Sequence, residues 1–185
     1  MNINVFDQIL TDEEKDHIEN CFRDNKFPWF LSVGYNHYTV DKSTYDKNSL
    51  KDRGESVLLT HTFYSDTFRN SENYLISDFI FNNFLQRTNT PFEKLFRSKA
   101  NLQLKYNSNS THTTPHVDSN DNHKVLIYYA NDSDGDTFFF DSNLTIVEQI
   151  APKKGRFVLF DGSILHSGGF NKYSDLRINV NFNFI

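Results

Sequence analysis

Cysteine is nearly absent from this chain. Cys21 stands alone, so no intrachain disulfide can form, and the expectation is a reducing compartment, the cytoplasm. Proline and glycine are scarce, at 4 and 7 of 185 residues, which argues against a disordered or collagen-like chain. Basic residues are not in excess: 19 Lys and Arg stand against 24 Asp and Glu, a formal net charge of -5. Wrapping a phosphate backbone relies on clustered Lys and Arg, so no nucleic-acid partner is expected. A small anionic ligand held by one or two buried cations remains compatible with that balance. Long hydrophobic runs are missing too, and no stretch has the length of a bilayer span. Residues 1–6 (MNINVF) lack both a basic region and a long apolar core, so no signal peptide is expected.

What the chain does have is aromatic mass. Aromatics make up 16% of the residues and 19 of them are Phe, a composition that leans toward β structure. The length suits one domain over 1–185 with a real hydrophobic core. Its first part, 1–95, reads as supporting helices, a strand and a loop; 96–185 reads as the β core. Thr11 with Glu14 forms a capping-box pattern, and Ile18, Cys21 and Phe22 recur at helical spacing, which predicts a helix over 12–24. Residues 27–31 read as an extended, buried piece. The polar, aperiodic stretch 35–55 predicts a long loop. A strand follows over 56–64, then a helix from 71 whose apolar face is Leu75, Phe79, Ile80 and Phe84, with a break at Pro91. From about 95 the pattern changes to short strands over 95–106, 124–130, 137–140, 144–150, 155–160 and 176–185, separated by Asn, Asp, Ser and Gly. Helices first and strands second predict helices packed on one face of a β sandwich or barrel. In the last run, Ile178, Val180, Phe182 and Phe184 alternate with Arg177, Asn179, Asn181 and Asn183. Period 2 puts these sets on opposite faces, and the polar set faces either water or a barrel lumen.

The chemistry concentrates between 113 and 177. His116-Val117-Asp118 is an H-x-D pair, His166 follows Asp118 by 48 positions, and Arg177 follows by 11 more. Residues i and i+2 of a strand face the same way, so His116 and Asp118 can ligate one ion. Two imidazoles and one carboxylate make the facial triad that binds non-haem Fe(II) and leaves other positions open. H-x-D alone is a weak signal; the third ligand on its own strand strengthens it. Arg177 supplies a fixed cation for a dicarboxylate. The other histidines read differently. His112 is four residues from His116, but Thr113, Thr114 and Pro115 argue against a helix there, which leaves it at a loop or pocket rim. His123 reads as a solvated turn residue, and His61 as a hydrogen-bonded core residue.

With these residues in place, Thr113-Thr114-Pro115-His116-Val117-Asp118, His166 and Arg177 resemble the Fe(II)/2-oxoglutarate-dependent dioxygenases, and among them the prolyl-4-hydroxylase-like enzymes, including small phage-type members. The resemblance covers about 97–185 and extends weakly to 60–64. It implies a double-stranded β-helix, a cupin-like jelly-roll with helices outside. It implies Fe(II) on His116, Asp118 and His166, 2-oxoglutarate with its far carboxylate on Arg177, and dioxygen as co-substrate. Tyr106, ten residues before His116, and Tyr129 match family tyrosines that reach the 2-oxoglutarate; filling the barrel is the plainer role for each. Halogenating relatives replace the carboxylate with a small residue, so Asp118 points to hydroxylation. Gly135-Asp136 stands where many relatives carry Gly-Gly, a departure that bears on the substrate-side rim. The implied activity is hydroxylation of a peptidyl proline or a small-molecule C–H bond, with succinate and carbon dioxide as co-products. The competing reading is a metal-binding jelly-roll scaffold without turnover, since one architecture hosts many functions.

Overall fold

The chain folds around strand pairings that join its two halves. The computed structural model describes residues 2–32, 58–66, 68–105 and 109–185. The loop expected over 35–55 and Tyr106 lie outside them. In order, the described elements are β1 (Ile3–Phe6), α1 (Asp12–Arg23), β2 (Phe30–Ser32), β3 (Leu58–Ser65), β4 (Phe68–Arg69), α2 (Tyr74–Thr88), β5 (Leu95–Leu104), β6 (Lys124–Tyr129), β7 (Thr137–Phe140), β8 (Ile146–Ile150), β9 (Phe157–Asp161), β10 (His166–Gly168) and β11 (Leu176–Phe184). The described residues form an eight-stranded sheet in the order β1-β9-β6-β11-β5-β3-β2, with β4 on β3, and a three-stranded sheet in the order β10-β7-β8. Every pairing is antiparallel. Isolated bridges His112↔Gly169 and His116↔His166 lay the H-x-D segment along β10, which widens the smaller sheet. The fold is a double-stranded β-helix, mainly β with flanking helices. The larger sheet is not confined to the second half of the chain, because β1, β2 and β3 all join it.

Two cores follow from the alternation of the strands. On one face of the larger sheet, Ala100, Leu102, Leu126, Tyr128, Ile178, Val180, Phe182 and Phe184 pack with Ile18, Phe22, Ile80, Phe81 and Phe84 of the helices. Burying a side chain such as Phe182 contributes about 1.5–3 kcal/mol. Between the sheets, Val125, Ile127, Tyr129, Val158 and Phe160 meet Phe139 and Ile150. A serine pair, Ser77 of α2 and Ser98 of β5, is buried in the first interface and satisfies itself with a mutual hydrogen bond of 2.5 Å. No helix among the described residues is long and apolar enough to cross a membrane.

The helices show where local pattern suffices and where it does not. The capping box at α1 is present: Glu14 N donates to Thr11 Oγ1 at 3.2 Å and Thr11 N to Glu14 Oε2 at 2.8 Å. The same carboxylate takes two bonds from Arg87 of α2, at 2.9 and 2.7 Å, and so ties the helices together. In α2 the expected face is half wrong. Ile80 and Phe84 are buried, but Leu75 is 65% and Phe79 39% exposed, and Ser77 and Phe81 are buried in their place. The helix is apolar on several sides, so periodicity does not select the side that meets the sheet. Its regular part begins at Tyr74 rather than 71, and Asn89 in the left-handed conformation (φ 50°) ends it before Pro91. Phe30 and Leu31, expected to be buried, are exposed, because β2 is the last strand of the larger sheet.

Candidate active site

The face of β11 that carries Arg177, Asn179, Asn181 and Asn183 is turned into the space between the sheets, not into water. Arg177 and Asn179 are each 6% exposed and Asn183 1%. Their partners on β5 are Gln103, Asn101, Lys99 and Arg97 in register, so two adjacent strands line the lumen with polar groups. Apolar residues occupy the alternate positions and hold this face in place from behind.

His116, Asp118 and His166 meet at one edge of the lumen. One ligand atom from each lies within 4.8 Å of the others. Asp118 Oδ1 is 3.9 Å from His116 Nε2, and Oδ2 is 3.9 Å from His166 Nε2; the three side chains are 5–12% exposed. Antiparallel bridging explains the meeting, since directly opposed residues project to the same face. His116 N donates to His166 O at 2.9 Å and His166 N to His116 O at 3.0 Å. Asp118 follows in a bend past the bridge rather than in a regular strand.

Both imidazoles are held in a ligand-ready tautomer. His116 Nδ1 lies 3.1 Å from Thr114 O and His166 Nδ1 lies 3.0 Å from Ile164 O. A carbonyl oxygen only accepts, so each Nδ1 carries the proton and the lone pair sits on Nε2, facing Asp118. Burial, and then the neighbouring His166, lower the His116 pKa to about 4, so its ring is neutral at pH 7. Burial alone would raise the Asp118 pKa. The nearby His166 and Arg97 and the Asn183 hydrogen bond outweigh it and hold the carboxyl well below the usual range. Asn181 Nδ2 and Asn183 Nδ2 donate to Asp118 Oδ2 at 2.7 and 2.9 Å, and Arg97 Nη1 to Oδ1 at 3.3 Å. A carboxylate and two imidazoles, each fixed by a second hydrogen bond, fit a hard-to-borderline divalent ion.

Arg177 lies along the same strand. Its Nε donates to Gly135 O at 2.7 Å, Nη2 to Thr137 Oγ1 at 3.0 Å and Nη1 to Asn179 Oδ1 at 3.3 Å. Its guanidinium carbon is 5.5 Å from the centre of the Tyr129 ring, and Tyr129 Oη shares a 2.6 Å hydrogen bond with Thr137 Oγ1. Among the described residues no carboxylate lies within ion-pair distance of Arg177, and burial lowers its pKa. Asp136 acts on it from beyond that distance, so this buried cation is only partly compensated, and an anionic ligand would complete the compensation. Gly135 lies at this end of the lumen, against Arg177. A Cβ there would stand 2.8 Å from Gly169 O and 3.0 Å from Arg177 Cδ.

Other histidines sort by their surroundings. His61 is buried, with Nδ1 2.7 Å from Pro28 O and Nε2 2.6 Å from Ser71 Oγ, as a core residue should be. His112 packs edgewise on Phe140 with ring centres 5.0 Å apart. His123 is not a solvated turn residue: it is 3% exposed, with Nδ1 2.7 Å from Asp121 O, because the turn at Gly162 closes over its ring. Sequence reasoning assigned no role to Arg97, Asn181, Asn183 or Thr137. The signal was present for Arg97: Arg97, Lys99, Asn101 and Gln103 alternate with Ser98, Ala100 and Leu102, the period-2 pattern also seen in β11.

No family model matches the chain, and no curated protein matches it. Solved structures do. An oxidoreductase of the 2OG-Fe(II) oxygenase family from Burkholderia pseudomallei superposes with a TM-score of 0.68 at 11% identity, over 98% of this chain and 84% of the other. A prolyl-4-hydroxylase from Pseudomonas putida gives 0.62 at 11% identity, over 98% and 91%. A non-haem α-ketoglutarate-dependent epimerase from nogalamycin biosynthesis gives 0.63 at 14% identity, over 99% and 77%. At such identities the likeness is one of fold: this chain has the double-stranded β-helix on which those oxygenases are built.

Proposed function

We propose that the protein is an Fe(II)- and 2-oxoglutarate-dependent dioxygenase that hydroxylates a C–H bond of a small molecule or a peptidyl proline. The observation that carries this reading is the pairing of two features on one lumen face. A His-Asp-His cluster with an ionised Asp118 stands at one end, and a buried arginine with no carboxylate within ion-pair distance among the described residues stands at the other. A scaffold that only bound metal would have no use for that arginine.

In this reading His116 Nε2, Asp118 and His166 Nε2 hold the iron. Iron bound there supplies dioxygen activation, coupling decarboxylation of 2-oxoglutarate to succinate and carbon dioxide with hydroxylation of the substrate. Asn181, Asn183 and Arg97 fix the Asp118 carboxylate and keep it ionised. Arg177 receives the far carboxylate of 2-oxoglutarate, for which a planar guanidinium fork is suited. Thr137 and Gly135 O hold that fork, and Tyr129 closes the pocket beside it. Tyr106 is assigned to 2-oxoglutarate on the family resemblance alone. With a single cysteine, the enzyme is assigned to the cytoplasm.

The test is calorimetric titration of 2-oxoglutarate into Mn(II)-loaded protein, followed by succinate assay with Fe(II) and air. Metal-dependent 2-oxoglutarate binding and slow succinate formation without substrate are expected. Metal-dependent thermal stabilisation with no 2-oxoglutarate binding would instead identify a scaffold.

A further inference from the structure

Arg177 is not the only cation in the lumen. Lys99 of β5 alternates with Arg97 and stands in register with Asn181 of β11 on one side and Thr62 of β3 on the other. Arg97 and Asn181 both touch Asp118, so Lys99 shares the face that carries the triad. Its side chain makes no hydrogen bond or ion pair among the described residues, although Asn181 Oδ1 opposite it is buried and has no partner either. Burial, and then the Arg97 charge, lower its ammonium pKa to about 8; Asp118 acts in the opposite direction. Lys99 is thus a partly desolvated cation held beside a second one.

Charge balance gives this arrangement a meaning, which rests on the oxygenase reading above. A divalent ion, Asp118, Arg177 and the 2-oxoglutarate dianion cancel one another. Arg97, which also pairs with Asp118 at 3.3 Å, and Lys99, which has no acid partner among the described residues, bring two positive charges that this sum does not cancel. The floor around them is polar as well: Thr60 and Thr62 of β3, Asn101 of β5, and Asn179 and Asn181 of β11 share this face by register. Such a surface matches a polar, negatively charged molecule.

We propose that Arg97 and Lys99 form a subsite for an anionic oxygen group of the primary substrate, a carboxylate or a phosphate. The subsite sets the substrate class as acidic and orients the reacting C–H bond relative to the triad. Asn181 Oδ1, beside it, accepts from a donor group of the same ligand.

The test uses inorganic phosphate and acetate as probes. Each is titrated into protein loaded with Mn(II) and saturated with 2-oxoglutarate, for wild type, Lys99→Met and Lys99→Arg. At least one probe should bind the wild type and Lys99→Arg, and bind Lys99→Met at least fivefold more weakly. The tighter probe names the substrate's anionic group. Affinity for 2-oxoglutarate should be the same in all three, which also shows that Lys99→Met is folded. Equal probe binding by wild type and Lys99→Met overturns the subsite while leaving the oxygenase reading intact. So does probe binding that 2-oxoglutarate abolishes, because the probe then occupies Arg177. Wild-type protein that fails to bind 2-oxoglutarate in the presence of Mn(II) overturns the oxygenase reading itself, and the subsite with it.

Discussion

His116 and His166 face each other across an antiparallel bridge with reciprocal backbone hydrogen bonds of 2.9 and 3.0 Å and ring centres 4.8 Å apart. Residues 50 positions apart in the chain are thereby placed as cross-strand neighbours, and Asp118 has only to curl past the bridge to complete the cluster.

The support of Asp118 is measurable. Asn183→Ala removes one hydrogen bond to Oδ2 and leaves the three ligating side chains in place. Partners of this kind typically affect metal affinity about 10–100-fold. Mn(II) or Co(II) titration of the variant should show a loss in that range, and unchanged metal affinity would remove Asn183 from the site. Asp118→Ala should lose more, because two imidazoles alone neither offset the ion's charge nor complete its ligand set.

Arg177→Leu should separate the two ends of the lumen. Metal affinity should stay within about twofold, while 2-oxoglutarate should no longer raise the melting temperature of the Mn(II)-loaded protein. The ligand-free variant should lose some stability, since Gly135 O and Asn179 Oδ1 lose their donor. Retained 2-oxoglutarate binding would place the co-substrate elsewhere.

Gly135→Ala tests the same end from the other side. The added methyl group would press on Gly169 O and Arg177 Cδ at 2.8 and 3.0 Å. Either the backbone or the guanidinium must yield, at a cost of about 1–3 kcal/mol for overpacking. Calorimetry should therefore show weaker 2-oxoglutarate binding with metal binding intact.

The metal-free protein should lose stability on acidification in two stages. His116 has a folded pKa near 4, below the ordinary value of about 6.5, so it binds fewer protons folded than unfolded in that window. Its contribution is fully present above about pH 6.5 and is lost as the pH falls toward 4. Asp118, also depressed, adds a further loss below about pH 4, the ordinary range of a carboxyl. Urea unfolding of wild type and His116→Gln across pH 4–7 checks this. The variant should show a flatter profile between 6.5 and 4, and parallel profiles would contradict the assignment.

Much of this protein is written in local pattern. The capping box of α1 and the two-residue alternation of β11 depend on neighbours within a few positions, and both appear as read. His116, Asp118 and His166 stood out in the sequence by residue type and spacing, and the structure brings the three together; Arg177, singled out with them, is buried on the same lumen face. Other features were decided by tertiary structure alone. Period 2 in β11 separates Arg177 from Ile178 but does not say which face meets water; the second sheet, closing over β11 and β5, buried the polar face. The outer partners of Asp118 come from positions 97, 181 and 183, and only the pairing of β5 with β11 makes them neighbours. Likewise α2, apolar on more than one side, took its buried face from the sheet it met and left Leu75 exposed. Hydrogen bonds within a turn or a strand's own alternation are set by adjacent residues. Burial and charge pairing are set by whatever distant segment folds against them, and no stretch of sequence contains that by itself.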